Sequence, residues 1–230
     1  MKCMIMAGGL GTRISTYRPT VGVKALLKYK GKPLITHVIE KLPQDMSVLI
    51  SANVKCRTYF QKWQQTINRK VKLCFEEAQT NDQKLGAVSA INFWVQRLNI
   101  DDDLLLIAGD NYFEFSLSEF IGAYNCRHVL VAVHKIGDLI KASQFGVVKL
   151  ESSRIIQLEE KPQNPSDDLV STGIYIMPTR TFPFLAQYCS GVKRDNLGEY
   201  ISYLLTVDEA YAYCFTENWF DIGSEPDLVR

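Results

Sequence analysis

A chain of 230 residues, 47% hydrophobic and 22% charged, is long enough to bury a real core and suits one large or two small domains. Its 26 Lys and Arg against 25 Asp and Glu leave a net charge of +1, which excludes a global attraction to nucleic acid or an anionic membrane; any anion site must be local. Apolar runs fall short of the roughly 20 residues of a membrane span. Six scattered cysteines (Cys3, Cys56, Cys74, Cys126, Cys189, Cys214) without a C-x-x-C pair suit reduced, metal-free thiols, and the opening MKCMIMAGG reaches glycine too soon for a signal peptide. The expectation is a soluble cytoplasmic protein.

The first apolar run, KCMIMA, predicts a strand, and Ala7, Gly8, Gly9 and Gly11 follow it, with Thr12, Arg13 and Lys24 beyond. KPLITHVIEKL predicts a helix: Pro33 suits the first turn, and Ile35, Val38, Ile39 and Leu42 share one face. SVLISA and VKLCFE predict two more buried strands, KLGAVSAINFWVQRL a helix with Val88, Ile91, Val95 and Leu98 on one side, and DLLLIAG a strand ending at Asp110. Strand alternating with helix implies right-handed crossovers and a parallel sheet covered on both faces, with ligands at the carboxyl ends of the strands. From about residue 128 the texture changes. HVLVAVHKI, QFGVVKL, RIIQLEE and LVSTGIYIM predict antiparallel additions to the same sheet. Helices near TRTFPFLAQY and NLGEYISYLL precede a last strand, EAYAYCF. Without linker, low-complexity tract or repeat, one domain with two lobes is expected, about 1–127 and about 128–230.

Glycines directly after a strand permit positive φ and close backbone approach, as phosphate-cradling loops require, and Arg13 and Lys24 add a planar cationic fork and a point charge. Taken alone, such a cluster is also an ordinary tight turn. A dinucleotide fingerprint would need glycine where Ile14 stands, and GKP at Gly31 lacks the hydroxyl of a Walker loop. Asp110, at a strand's carboxyl end, and Asp221, in WFDIG, are two carboxylates that could share one Mg²⁺ with phosphate oxygens and water. His37, His128 and His134 lack metal-ligand spacing, and Trp63 and Trp94 read as core or rim residues.

The run MAGGLGTR…K…GKPLI resembles the signature that opens the sugar-1-phosphate nucleotidylyltransferases, of the glucose-1-phosphate thymidylyltransferase and uridylyltransferase type. The resemblance continues in order through KLGAVSA, LLLIAGDN, FGVV, LEEKP, STGIYI and NWFDIGSEPD, and so covers nearly the whole chain. It departs at Val23, where the family usually has proline, and in a longer Arg13-to-Lys24 interval. It implies the nucleotide-diphospho-sugar transferase fold, with a Rossmann-like, mostly parallel α/β sheet, a nucleotide-binding first half and a sugar-phosphate-binding second half. It also implies Mg²⁺ as cofactor. By the same resemblance, Ala7, Gly8, Gly9, Gly11, Thr12 and Arg13 surround an NTP, and Gly86 carries the nucleobase. Asn81 or Gln79 reads the base edge. Gly146, Glu160, Thr172, Gly173 and Tyr175 line the sugar pocket; Lys161 binds the sugar phosphate; Asp110 and Asp221 hold the metal; Arg13, Lys24, Asp110 and Lys161 carry the chemistry.

The reaction so implied is in-line attack of a sugar 1-phosphate on the α-phosphorus of an NTP, dTTP or UTP with glucose 1-phosphate being favoured. Mannose 1-phosphate with GTP, another acceptor pair such as phosphocholine with CTP, and a non-catalytic nucleotide-sugar-sensing module remain alternatives. Expected partners are the two substrates, with no nucleic acid and no membrane, and self-association is an open outcome. Relatives of this type continue beyond SEPDLVR into a closing helix and in some cases a left-handed β-helix, so a second activity is not expected here.

Overall fold

The most apolar runs of the chain become the inner strands of one sheet. In the computed structural model, which describes residues 1–8, 23–78 and 85–222, the first half contains β1 (Lys2–Met6), β2 (Lys28–Tyr29), β3 (Lys32–Pro33), α1 (Leu34–Lys41), β4 (Ser47–Asn53), α2 (Arg57–Gln64) and β5 (Lys72–Glu76). It continues with α3 (Ala87–Arg97), β6 (Leu104–Ala108), β7 (Asn111–Phe113) and α4 (Leu117–Gly122). The second half contains β8 (Val129–Lys135), α5 (Leu139–Ala142), β9 (Gly146–Glu151), β10 (Arg154–Glu160) and β11 (Leu169–Met177). It closes with α6 (Phe182–Tyr188), α7 (Leu197–Leu204), β12 (Ala210–Phe215) and β13 (Trp219–Asp221).

Nine strands form one sheet in the order β5-β4-β1-β6-β11-β8-β12-β10-β9. From β5 to β6 every pairing is parallel, as the apolar strands alternating with helices predict. Beyond β6, strands β8, β9, β10 and β11 pair antiparallel as expected, and the one addition that the sequence did not predict is a parallel pairing. β11 runs antiparallel to both β6 and β8, yet β12 lies parallel to β8, because the chain crosses back through α6 and α7 before it forms β12. Pro33 ends β3 rather than entering α1; its ψ of 143° is extended, and the helix begins at Leu34.

Alternation along the strands feeds two cores. Cys3 and Ile5 face a cluster with Ile35 and Val38 of α1, Phe60 and Trp63 of α2, and Phe120 of α4. Met4 faces the other cluster, with Ile91 and Trp94 of α3, Leu185 of α6, and Tyr200 and Ile201 of α7. Both tryptophans bury their rings and satisfy their N–H groups, Trp63 on Thr36 Oγ1 at 2.8 Å and Trp94 on Ser51 Oγ at 2.9 Å. His37 and His134 lie within hydrogen-bonding distance of the Tyr29 and Phe215 carbonyls. Among the described residues, no helix is long and apolar enough to cross a membrane.

The start of α3 is fastened to the segment before α7. Ser89 N–H donates to the Arg194 carbonyl at 3.0 Å, Arg194 N–H donates to Ser89 Oγ at 2.8 Å, and Ala87 N–H donates to Asp195 Oδ1 at 2.7 Å. Gly86 makes this junction possible. It has φ +84°, and a Cβ there would lie 2.7 Å from the Arg194 carbonyl oxygen and 2.9 Å from Asp195 Cα. Gly86→Ala is therefore expected to destabilise the protein by about 1–3 kcal/mol, through left-handed strain and backbone overpacking. Urea unfolding checks this, and an unchanged midpoint would show that the junction tolerates a side chain.

Candidate active site

A cleft of about 680 Å³ opens at the carboxyl end of β6, where the resemblance and the parallel-sheet rule both put a ligand. Asp110 stands in the turn leaving β6, and Lys24 Nζ lies 3.3 Å from its Oδ2. Asp221 reaches the same cleft from β13, which pairs antiparallel with β7 so that Asp221 opposes Asn111. The next residue, Ile222, donates its N–H to the Asp110 carbonyl at 3.0 Å. This short ladder and its flanking backbone bond bring Asp221 and Asp110 to the same cleft. Among the described residues no group of three or more His, Cys, Asp or Glu is placed to hold a metal. Two hard oxygen donors, with the rest of the shell open, fit Mg²⁺, which takes one or two carboxylates and fills the remainder with phosphate oxygens and water.

Glu160 ends β10 beside Gly146, the first residue of β9 and its register partner, and Lys161 follows just beyond the strand. Lys161 Nζ lies 3.5 Å from Glu160 Oε1. Lys161 has φ +47°, a left-handed conformation that glycine or asparagine adopts more readily, and its N–H donates to the Phe145 carbonyl at 2.9 Å. A lysine side chain is retained there against a backbone preference, a pattern concentrated at functional sites.

The bulge of β11, between Ser171 and Tyr175, forms another wall. Gly173, at φ +76°, turns the chain where a Cβ would lie 3.0 Å from Ala108 Cβ and 3.1 Å from Asn111 Nδ2. Thr172 acts as a strut: its hydroxyl donates to the Ala132 carbonyl at 2.8 Å, and its carbonyl accepts from Asn111 Nδ2 at 2.7 Å. Tyr175 OH and Ser171 Oγ are 2.8 Å apart. Burial, and secondarily the Glu160 charge, push the Tyr175 phenol well above its ordinary pKa, against the Ser171 hydrogen bond, so it stays protonated at neutral pH.

The cleft therefore gathers Lys24, Asp110 and Asp221 with Gly146, Glu160, Lys161 and the bulge residues Thr172, Gly173 and Tyr175. Ala7 and Gly8 stand at the exit of β1, where Ala7 N–H donates to the Ser51 carbonyl at 2.7 Å; Gly86 is the N-cap of α3; none of the three lines the cleft. Gly9, Gly11, Thr12, Arg13, Asn81 and Gln79 lie outside the described residues. Among the cleft residues that carry no functional expectation from sequence are Asn111, Asp195, Gly198 and Trp219. Asn111 Oδ1 and Trp219 Nε1 are buried without a hydrogen-bond partner. The signal for Asn111 and Trp219 was adjacency, since each lies within two residues of a flagged aspartate, in AGDN and WFDIG.

A family model described as nucleotidyl transferase matches residues 2–230, and the chain belongs to that family. It is 27% identical over its whole length to a Sulfolobus acidocaldarius protein provisionally named a mannose-1-phosphate guanyltransferase, covering 62% of that protein. It is 29% identical, again over its whole length, to the bifunctional protein GlmU of Methanocaldococcus jannaschii, covering 53% of it. The chain thus spans little more than half the length of these curated relatives. A solved structure of UDP-glucose pyrophosphorylase complexed with UDP-glucose superposes with a TM-score of 0.79 at 21% identity, covering 99% of this chain and 95% of that one, and so shares the fold.

The Lys24–Asp110 pair is partly open to solvent, with side-chain exposures of 22% and 28%, so its contribution to folding is expected to be no more than about 1 kcal/mol. Lys24→Met and Asp110→Asn should each keep a near-normal urea unfolding midpoint. A loss of several kcal/mol in either would make the pair a structural element.

Proposed function

We propose that the chain transfers a nucleotidyl group from an NTP to a sugar 1-phosphate, releasing pyrophosphate. The observation that carries this is the joining of Lys24–Asp110 with Asp221 and of Glu160–Lys161 in one cleft at the carboxyl end of β6. Both substrates are polyanions, so the barrier is mainly mutual repulsion and alignment, and a cleft lined by cations and a metal-competent carboxylate pair answers both. Family membership and the relatives' names agree with nucleotidyl transfer to a phosphorylated acceptor.

In this mechanism a phosphate oxygen of the sugar 1-phosphate attacks the α-phosphorus, a new P–O bond forms in line, and the α–β P–O bond breaks with its electron pair leaving on pyrophosphate. The sugar phosphate is already anionic near neutral pH, so no general base is required. Lys161 holds the attacking phosphate, and Glu160 accepts hydrogen bonds from sugar hydroxyls. Gly146 and Gly173 leave room for the ring. Arg13 and Lys24 stabilise charge on the departing pyrophosphate. Asp110 and Asp221 would hold Mg²⁺, whose chemistry when bound is neutralisation of phosphate charge at the reacting centre.

For the finer specificity, dTTP or UTP with glucose 1-phosphate is our first reading, resting on AGDN and EEKP. GTP with mannose 1-phosphate is the second, favoured by the name of the Sulfolobus relative. Asn81, whose amide both donates and accepts, is assigned to the base edge with Gln79 as its rival.

Pyrophosphate release across four NTPs and several sugar 1-phosphates tests the reading; a wild-type protein that releases none with any pair, with Mg²⁺ present, would overturn it. Chelation should abolish release and added Mg²⁺ restore it. Asp110→Asn and Asp221→Asn are expected to lower kcat by at least about a hundredfold while the protein stays folded. Near-normal turnover in both would remove them from the site. Lys161→Ala should raise KM for the sugar phosphate, and Arg13→Ala should act on NTP use. Parallel changes in one substrate's KM would contradict that division.

Base choice is checked by kcat/KM for dTTP, UTP, CTP and GTP in wild type, Asn81→Ala and Gln79→Ala. Asn81→Ala should compress the pyrimidine preference by about 1–3 kcal/mol. Compression in Gln79→Ala alone would move the role there, and a wild type preferring GTP would favour the mannose reading.

A further inference from the structure

We propose that Gly198, in the first turn of α7, is a positioning residue for the acceptor: its missing side chain is what allows the Glu160 carboxylate to stand at the sugar end of the cleft. The inference rests on the acceptor reading of Glu160 given above. A Cβ on Gly198 would overlap Glu160 Oε2 and lie 3.1 Å from its Cδ, with Leu158 Cδ2 a lesser contact at 3.2 Å, while a Cβ on Gly146 would lie 3.1 Å from the same Oε2 and 3.1 Å from Leu158 Cδ2. One oxygen is thus lodged between two glycines on separate elements.

The backbone gives no other reason for glycine at 198. The residue is helical, its φ is not in the left-handed region, and glycine in a helix is destabilising relative to alanine. A glycine kept in a helix is explained by close approach, and what approaches is a carboxylate that lines the cleft.

The helix cannot retreat to make room. Tyr200, Ile201 and Leu204 anchor α7 in the core, and Asn196 Oδ1 accepts from Gly198 N–H at 2.9 Å. Ser202 Oγ hydrogen-bonds the Leu158 carbonyl of β10 and lies 3.1 Å from the Gly198 carbonyl, so helix and strand are stitched one turn from the contact. The soft partner is the Glu160 side chain. A methyl at 198 would rotate the carboxylate out of its place and draw Oε1 away from Lys161 Nζ, now 3.5 Å from it.

Gly198→Ala should therefore keep or raise the thermal unfolding midpoint, because alanine is the better helix former and the displaced group is a side-chain end. The same variant should weaken glucose 1-phosphate by about tenfold to a hundredfold, the loss of a charge-assisted hydrogen bond, and leave the NTP KM nearly unchanged. Calorimetric binding of glucose 1-phosphate, unfolding midpoints and steady-state kinetics would be measured on wild type, Gly198→Ala, Glu160→Ala and Glu160→Ala/Gly198→Ala. In the Glu160→Ala background the change at 198 should have no further effect on acceptor binding, and unfolding should show little penalty, since the nearest obstructing atoms are gone and only the flexible end of Leu158, at 3.2 Å, must yield. Unaltered acceptor binding in folded Gly198→Ala, or an additional loss of similar size in the double variant, would overturn the positioning role alone. Loss of stability and of both substrates together, persisting in the double variant, would make Gly198 a purely structural residue. A wild-type protein that neither binds nor turns over glucose 1-phosphate or any other sugar 1-phosphate would overturn this role together with the acceptor reading.

Discussion

The hydrogen bond from the Gly109 N–H to the Met6 carbonyl, at 2.9 Å, is the contact on which the layout of the cleft depends. β1 and β6 run parallel and in register, so the chain leaves both strands at the same edge of the sheet. That bond ties the two exits together just beyond the ladder. A Cβ on Gly109 would lie 3.0 Å from the Met6 carbonyl oxygen and 3.2 Å from Ala7 Cβ, so a side chain there would have to push the end of β1 aside by a few tenths of an ångström. With the turn pinned there, Asp110 emerges beside the exit of β1, and the β7–β13 ladder then brings Asp221 to the same cleft. Elementary sheet geometry thus decides where the carboxylate pair stands before any ligand is considered.

The second half of the chain answers from across β6. β11 pairs antiparallel with β6, and its bulge at Gly173 lets Asn111 reach the Thr172 carbonyl, so both halves share a buried polar seam along the cleft. Most groups in that seam are satisfied internally. Asn111 Oδ1 and Trp219 Nε1 are not, and an unsatisfied buried polar atom costs about 1–3 kcal/mol, a strain that native proteins concentrate where a ligand or water completes the pairing.

The apolar strands β1, β4, β5 and β6 and the helices α1 and α3 were legible because burial on both faces leaves a continuous hydrophobic run and burial on one leaves a 3.6-residue period. β7 and β13 were not: three residues hold too little pattern, and their pairing joins segments far apart in sequence. α2 buries only Phe60 and Trp63 and so shows too narrow a stripe to read, whereas α4 carries a capping-box spacing, Ser116 to Glu119, that apolar periodicity does not register. The parallel placement of β12 against β8 depends on the path through α6 and α7, which alternation along a strand does not encode. In the cleft, charged residues at strand ends announced themselves by chemistry and by resemblance. Gly198 did not, since a glycine's importance lies in what comes close to it, and Glu160 does so only once α7 has docked on β10.

Each described cation of the cleft already rests on a carboxylate, Lys24 on Asp110 and Lys161 on Glu160. Neither pair is deeply buried on both sides; the Lys161 side chain is 62% exposed. Pairs of this kind contribute about 0–1 kcal/mol, so separating them costs little. A hydrogen bond from a lysine to a phosphate oxygen contributes about 1.5–3 kcal/mol, so in the proposed reaction a substrate phosphate would compete successfully for both ammonium groups. Among the described residues, carboxylates outnumber cations along the cleft, with Asp110, Glu160, Asp195 and Asp221 against Lys24 and Lys161, so both ammonium groups are held within the site by neighbours that release them at small cost. In the proposed reaction Asp110, once freed of Lys24, would be available with Asp221 to hold Mg²⁺, which would supply neutralisation of phosphate charge.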